Sequence, residues 1–291
     1  MQNADTQHPT IAAIRRDATR RLRAAGRPEA ARDADTLLAW VLGRERADLL
    51  AHPEAIVPAV AVAAMAVAVE RRAAAEPIQY ITGERDFWRD SFRVTPAVLI
   101  PRPETELLVE QGADALRTIP APHVLDLATG SGCVGLSLLR ELSQARLLAT
   151  DRSPAALEVA RGNAVRLGVA ARAAFVCGDG LTFLRTGPAG VFHLIVANPP
   201  YVSRGDLTLL PAEVRNWEPS LALDGGADGL DCYRAWVPPA LALLRPGGRL
   251  LMEFGYGQWP ALSGILAAMG CDAAMFPDLA GIPRVFQVVR G

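Results

Sequence analysis

The chain has 291 residues, 51% hydrophobic and 21% charged, with a formal net charge of −1: room for one large domain, or a large and a small one, around an ample core. The charge divides as about +2 before residue 75 and about −3 after it, which gives no long nucleic-acid footprint. All thirty basic residues are arginine, excluding lysine-dependent phosphate loops and Schiff bases, and neither the cysteines (133, 177, 232, 271) nor the histidines (8, 52, 123, 193) show metal-site spacing.

The opening "MQNADTQHPT" lacks a basic-then-apolar leader pattern, and "AVAVAAMAVAVE" is too short and alanine-rich to cross a bilayer. With scattered thiols that suit a reducing compartment, a cytoplasmic protein is expected. From about Thr10 to Arg72 the pattern is helical. "DADTLLAWVLG" puts Leu37, Leu38, Val41 and Leu42 on one face with Gly43 as a C-cap, and Pro58 can start the alanine-valine helix. Residues 1–75 are expected to form a small all-helical domain, whose role is packing or partner recognition. Residues 76–100 then read as a linker with a hairpin around a glycine turn, "EPIQYITGERDFWRDSFRVTP". Residues 101–291 form the third segment, in which Glu104 or Thr105 can begin a helix after "LIPRP".

Beyond Pro122 short apolar strands alternate with helices. "HVLDLA", "RLLATD", "AAFVCGD", "FHLIVANPP" and "RLLMEFG" are strands, and His193 at a strand start reads as structural. Ser153 and Pro154 open one helix; "CYRAWVPPALALLRPGG" is a proline-interrupted helix ending in glycines; "DAAMF" and "RVFQVV" close the chain as strands. The expected fold is α/β, a doubly wound and largely parallel Rossmann-like sheet.

"DLATGSGCVG" lies at the first strand-to-helix crossing, with Gly130, Gly132 and Gly135 in G-x-G-x-x-G spacing and Asp151 at the end of the next strand. In a parallel sheet these meet at the carboxyl edge, where a carboxylate can accept from both ribose hydroxyls, so a nucleoside-containing cofactor is expected. Asp126, just before the loop, would oppose a pyrophosphate but suits the ammonium of S-adenosylmethionine; it can equally brace the loop. Asp179, ending the third strand, is placed to accept from an adenine amino group or to serve as a turn residue.

"ANPPY" ends the fourth strand. Pro199 holds Asn198 in extended geometry, and two prolines without N–H groups stiffen the loop. The Asn198 side-chain oxygen and the Pro199 carbonyl then form a rigid pair of acceptors beside Tyr201, suited to a planar –NH₂ group. Binding both hydrogens orients a poor nucleophile and stabilises its developing charge, so positioning and electrostatics replace a strong base.

Asn-Pro-Pro-Tyr after strand four, with "DLATGSG" after strand one, resembles methyltransferases that modify planar amino nitrogens. "EPIQYITGERDFW", "LIPRPETELLVE" and "DLAGIPRVF" are similar to the peptide chain release factor glutamine methyltransferases, a likeness running from about Ala34 to Arg290. The resemblance implies a class I S-adenosylmethionine-dependent sheet, methylation of the glutamine in the Gly-Gly-Gln loop of release factors, and a helical domain that helps bind them. It implies a cofactor site of Asp126, Ala128, Thr129, Gly130, Ser131, Gly132, Asp151, Asp179, Gly180 and Asn198. Substrate would meet Asn198, Pro199, Pro200, Tyr201 and Phe92, with Asn198, Pro199 and Tyr201 catalytic and Glu104 and Thr105 near the same cleft. Two positions depart from the family: Ala128 replaces the usual glycine, tolerable if φ is negative, and Gly180 is small where relatives can carry a bulky side chain. A monomer with no membrane or direct nucleic-acid partner is expected. An adenine-N6 nucleic-acid methyltransferase uses the same tetrapeptide but needs a basic channel for a flipped base. An NAD-dependent oxidoreductase leaves Asn-Pro-Pro-Tyr unexplained, and a non-catalytic binding protein would not need intact acceptors.

Overall fold

The structure, a computed structural model, describes residues 9–181 and 190–291; His8 and most of the opening segment lie outside them. The chain folds as two compact units, one of residues up to 83 together with 212–217, the other of 84–211 and 218–291.

The first unit contains α1 (Ile11–Ala24), α2 (Ala30–Leu42), α3 (Arg46–Ala51), α4 (Ala59–Ala73) and α5 (Ile78–Thr82). Thr10 caps α1 by accepting from Ala13 N at 3.2 Å, Gly43 ends α2 at φ 62°, and Pro58 precedes α4 as the sequence suggests. Leu22, Leu37, Leu38, Met65 and Val69 fill its core. A buried arginine crosses that core: Arg72 donates to Asp33 Oδ2 at 2.6 Å, to the Glu76 carbonyl at 3.0 Å, and to Glu213 Oε1 at 2.8 Å. Glu213 lies on the helix Ala212–Trp217, so a segment far along the chain completes the unit's ion-pair network. No helix among the described residues is long and apolar enough to cross a membrane.

The second unit starts with a hairpin, β1 (Glu84–Phe87) and β2 (Asp90–Arg93). Its turn is Trp88–Arg89, with Trp88 at φ 58°, whereas Gly83 ends α5 at φ 81°; the glycine expected to turn the hairpin is a helix cap instead. A 3₁₀ turn, Pro103–Thr105, leads into α6 (Glu106–Leu116). Alternation then follows: β3 (His123–Leu127), α7 (Cys133–Glu141), β4 (Arg146–Asp151), α8 (Pro154–Arg166), β5 (Ala173–Cys177), β6 (Phe192–Ala197), then, after α9 (Ala212–Trp217) of the first unit, α10 (Asp231–Leu243), β7 (Leu244–Glu253), α11 (Trp259–Ala268), β8 (Ala273–Pro277) and β9 (Pro283–Val289). Ser153 caps α8 by accepting from Ala156 N at 3.2 Å, with Pro154 in its first turn.

The seven-stranded sheet has order β5-β4-β3-β6-β7-β9-β8, parallel from β5 to β7 and antiparallel at β9 and β8. Both faces are covered. Val124, Leu194 and Val196 join the core under α6 and α7, while Leu125, Leu127, Ile195 and Ala197 face α10 and α11. Such two-sided burial is why these strands read as continuous apolar runs. Helix α10 runs through Pro238 and Pro239 and stops at Leu243; the "RPGG" expected to end it belongs to β7, where Leu244 already pairs with Phe192. Strand order reverses between β3 and β6, so the carboxyl ends of β3 to β6 open a crevice at the switch point.

Candidate active site

A cleft of about 280 Å³ occupies that crevice. Asp126 and the loop from Ala128 to Ser131 line it after β3, Asp151 to Ser153 after β4, Gly178 to Gly180 after β5, and Asn198 and Pro200 after β6. The structure thus gathers nearly all the cofactor residues expected from the sequence, with Gly132 entering as the left-handed residue that starts α7.

The glycine loop is held by carboxylates. Asp126 Oδ2 accepts from Thr129 Oγ1 at 2.6 Å and from Gly135 N at 3.0 Å, so this aspartate does brace the loop, while its other oxygen accepts no hydrogen bond among the described residues. Burial pushes the Asp126 carboxyl up to about 7 despite those two donors. Asp151 accepts from Gly130 N at 3.0 Å and Ser153 N at 2.9 Å, and burial raises its pKa as well. Asn163, missed by the sequence reading, donates to the Ser131 carbonyl at 2.8 Å and exchanges bonds with the Arg93 backbone at 2.8 and 3.0 Å. It pins the loop to the hairpin from 70 residues away. Ala128 has φ 54°, so the negative φ that would accommodate its methyl group is not met.

Gly180 has φ 56°, and a Cβ built on it would lie 2.5 Å from Trp236 Nε1. The indole of Trp236, from α10, therefore supplies an aromatic wall beside the position where Gly180 has no side chain.

Asn198 Nδ2 donates to Thr105 Oγ1 at 3.1 Å, and Thr105 Oγ1 donates to Glu253 Oε2 at 2.6 Å. Tyr201 OH donates to Glu253 Oε1 at 3.2 Å. One hydrogen of the Asn198 amide nitrogen is thus engaged, while Oδ1 has no partner among the described residues and is not shut away from the surface. The Pro199 carbonyl also accepts no hydrogen bond among them. Tyr201 lies on the α10 and α11 side rather than in the cleft wall, and burial beside Glu253 raises its pKa.

The tetrapeptide backbone rests on glycines that the sequence reading passed over. A Cβ on Gly225 would lie 2.7 Å from Tyr201 Cα and 2.8 Å from the Pro200 carbonyl. Gln258 Nε2 donates to the Tyr201 carbonyl at 2.9 Å, and Val202 N to the Leu223 carbonyl at 3.0 Å.

Phe92 is not brought to the cleft. It faces inward from β2, has no exposed surface and meets Phe87 edge-on at 6.0 Å. The segment reaching the cleft lies further on, Ala97 to Leu99 and Pro101, and Thr105 lines it where Glu104 does not.

A doubly wound sheet with this glycine loop, acidic strand ends and Asn-Pro-Pro-Tyr at the switch point is that of a class I α/β methyltransferase. The Methyltransferase small domain family matches residues 103–213 and the PrmC N-terminal domain family residues 13–83. Among solved structures, the catalytic domain of hMettl16 in complex with MAT2A 3'UTR hairpin 6 shares the fold at a TM-score of 0.55 and 15% identity, over 68% of this chain and 74% of that one. Release factor glutamine methyltransferases are similar along nearly the whole length. That of Moorella thermoacetica is 45% identical over 94% of this chain and 96% of its own, and that of Cereibacter sphaeroides 46% over 93% and 95%. The chain belongs to the release factor glutamine methyltransferase family.

Proposed function

We propose that this protein transfers the methyl group of S-adenosylmethionine to the side-chain amide nitrogen of the glutamine in the Gly-Gly-Gln loop of peptide chain release factors. The cleft chemistry fits that cofactor. Asp126, Asp151 and Asp179 line it, with Arg152 the one cation among the described lining residues, which disfavours a pyrophosphate and favours a cationic amino acid with a ribose. Ala97, Val98, Val134, Ala156 and Trp236 supply apolar walls for an adenine and a thioether. Bound there, S-adenosylmethionine would supply a methyl group on a sulfonium.

The observation that carries the reading is the state of Asn198. With one Nδ2 hydrogen held by Thr105, the amide is oriented so that its oxygen, unpartnered among the described residues, is available to a substrate, and the adjoining Pro199 carbonyl accepts no hydrogen bond among them. Two acceptors without a neighbouring donor recognise an –NH₂ group and reject a carboxylate or a carbonyl. They hold the amide nitrogen toward the cofactor side of the cleft and stabilise positive charge as it forms a fourth bond. Tyr201, donating to Glu253, acts as a strut rather than a proton acceptor.

Family membership and the near-complete match to relatives bearing this name support the release factor as substrate. The helical unit is the proposed recognition surface for it, with the hairpin as linker and the sheet as catalytic domain. A cytoplasmic monomer fits a translation-linked enzyme. Asn198→Ala tests the site: transfer to release factor should fall by at least about a hundredfold, the scale for a lost charge-stabilising contact. Cofactor affinity by calorimetry should stay within about threefold, a loss below 1 kcal/mol. Equal loss of both would make Asn198 a scaffold residue.

A further inference from the structure

Thr105 ends the 3₁₀ turn that leads into α6, in helical backbone at φ −67°, and its hydroxyl makes no helix-cap bond. Its hydroxyl is turned to Glu253 and Asn198. The three side chains run from the core to the cleft, and Glu253, the inner end, is buried without lining the cleft.

Resting on the amide-transfer reading, we propose that Glu253 is a positioning residue for the reaction: through Thr105 it sets the direction of the hydrogen-bond chain that presents Asn198 Oδ1, rather than Nδ2, to the substrate. Thr105 has one proton. An ionised Glu253 offers only acceptors and takes that proton at 2.6 Å. Thr105 can then only accept from Asn198, as it does at 3.1 Å, and the amide must place its oxygen at the other end. Tyr201 donates to the second carboxylate oxygen, so both ends of Glu253 act as acceptors. Glutamine, of the same shape, has one end that only donates, so one of the two hydroxyls must turn from donating to accepting and the grip on both is lost.

Glu253 is faced by Thr105 and Glu104 before α6, Tyr201 after β6, Tyr233 of α10 and Arg284 of β9, with Tyr233 OH donating to its carbonyl at 2.9 Å. Burial, with a lesser push from Glu104, holds the carboxyl up at about 7, against the donors Thr105 and Tyr201 and the charge of Arg284. A protonated carboxyl could donate to Thr105 and release the chain to reverse.

The experiment compares Glu253→Gln, Thr105→Val, Thr105→Ser and the Glu253→Gln/Thr105→Val double variant in the full-length enzyme, with release factor as substrate. Glu253→Gln should lower kcat at least about tenfold, the scale of a mispaired buried polar group, with cofactor Kd within about twofold. Thr105→Ser, which keeps the hydroxyl, should exceed Thr105→Val by at least about fivefold, and the double variant should be little slower than the slower single one. Multiplicative losses, a Glu253→Gln rate within about twofold of wild type, or equal Thr105 variants would overturn the proposal. If Glu253→Gln does not fold, the Thr105 pair decides. A substrate-free readout separates this proposal from the choice of substrate: the Asn198 side-chain NH₂ signals, assigned by their loss in Asn198→Ala, should be protected from solvent exchange in wild type and not in Thr105→Val. Equal protection in both refutes the chain, whereas a wild-type enzyme that leaves release factor unmethylated refutes the substrate reading alone.

Discussion

Ala128 holds the glycine loop in backbone that glycine would occupy at lower cost. At φ 54° its Cβ crowds the following carbonyl, a strain of about 1–2 kcal/mol, while glycine's freer unfolded chain returns about 0.4–1 kcal/mol. Ala128→Gly should therefore stabilise the protein by about 0.5–1 kcal/mol, read as a higher denaturation midpoint without a change in m-value. A lower midpoint would show that the methyl group makes a contact outweighing the strain. Asp126, two residues earlier, gives the glycine loop a pH dependence of its own. Its folded-state pKa, raised by burial to about 7 from 3.8, means that the folded protein keeps a proton that the unfolded chain loses. Its contribution to stability is thus fully present below pH 3.8 and is lost as pH rises through about 7. A cationic amino group beside Asp126 favours the ionised form, so cofactor binding below about pH 7 should release a proton, and affinity should rise toward neutrality. Calorimetry near pH 6 in buffers of different ionisation heat measures that proton; Asp126→Asn should abolish it. A binding heat independent of buffer would place the cationic end of the cofactor elsewhere.

At the scale of elements, the site depends on segments meeting without side chains between them. Gly225 lets the chain after α9 lie directly on Tyr201 and Pro200, and the Cβ of an alanine there would come within 2.8 Å of both backbones. Gly225→Ala should push the Asn-Pro-Pro-Tyr loop out of register, lowering turnover by about tenfold or more while leaving the glycine loop and cofactor binding nearly intact. Unchanged turnover would mean that the loop tolerates displacement. What could be read from the sequence follows from the same geometry. Asn-Pro-Pro-Tyr, the glycine loop and the Ser153-Pro154 helix start are contiguous, and their chemistry is local. Thr105 and Glu253 are 148 residues apart, and Asn163 and Arg93 are 70; nothing local marks them as partners. Phe92 went astray because one strand register decides which face of β2 meets the core, and Gly83 because a glycine at positive φ serves a helix cap as well as a hairpin turn. The approach of the Trp236 indole to Gly180 is likewise a tertiary contact that no local pattern marks.

For the whole molecule, alternation along the chain made the doubly wound sheet legible, because strands buried on both faces leave apolar runs that no surface element would. The antiparallel end of the sheet, β9 between β7 and β8, depends on pairing order, which periodicity does not encode. Nor does it encode the return of residues 212–217 to the helical unit, where Glu213 meets Arg72 across 141 positions. The fold is shared with the hMettl16 catalytic domain at 15% identity, so fold alone does not choose amide over adenine, and the choice rests on the full-length family match and the proposed site chemistry. It is tested most directly by incubating the enzyme and methyl-labelled S-adenosylmethionine with release factor, with the same factor carrying Gln→Ala in its Gly-Gly-Gln loop, and with DNA. Label should enter the unaltered factor alone; label on DNA, or equally on the Gln→Ala factor, would contradict glutamine methylation.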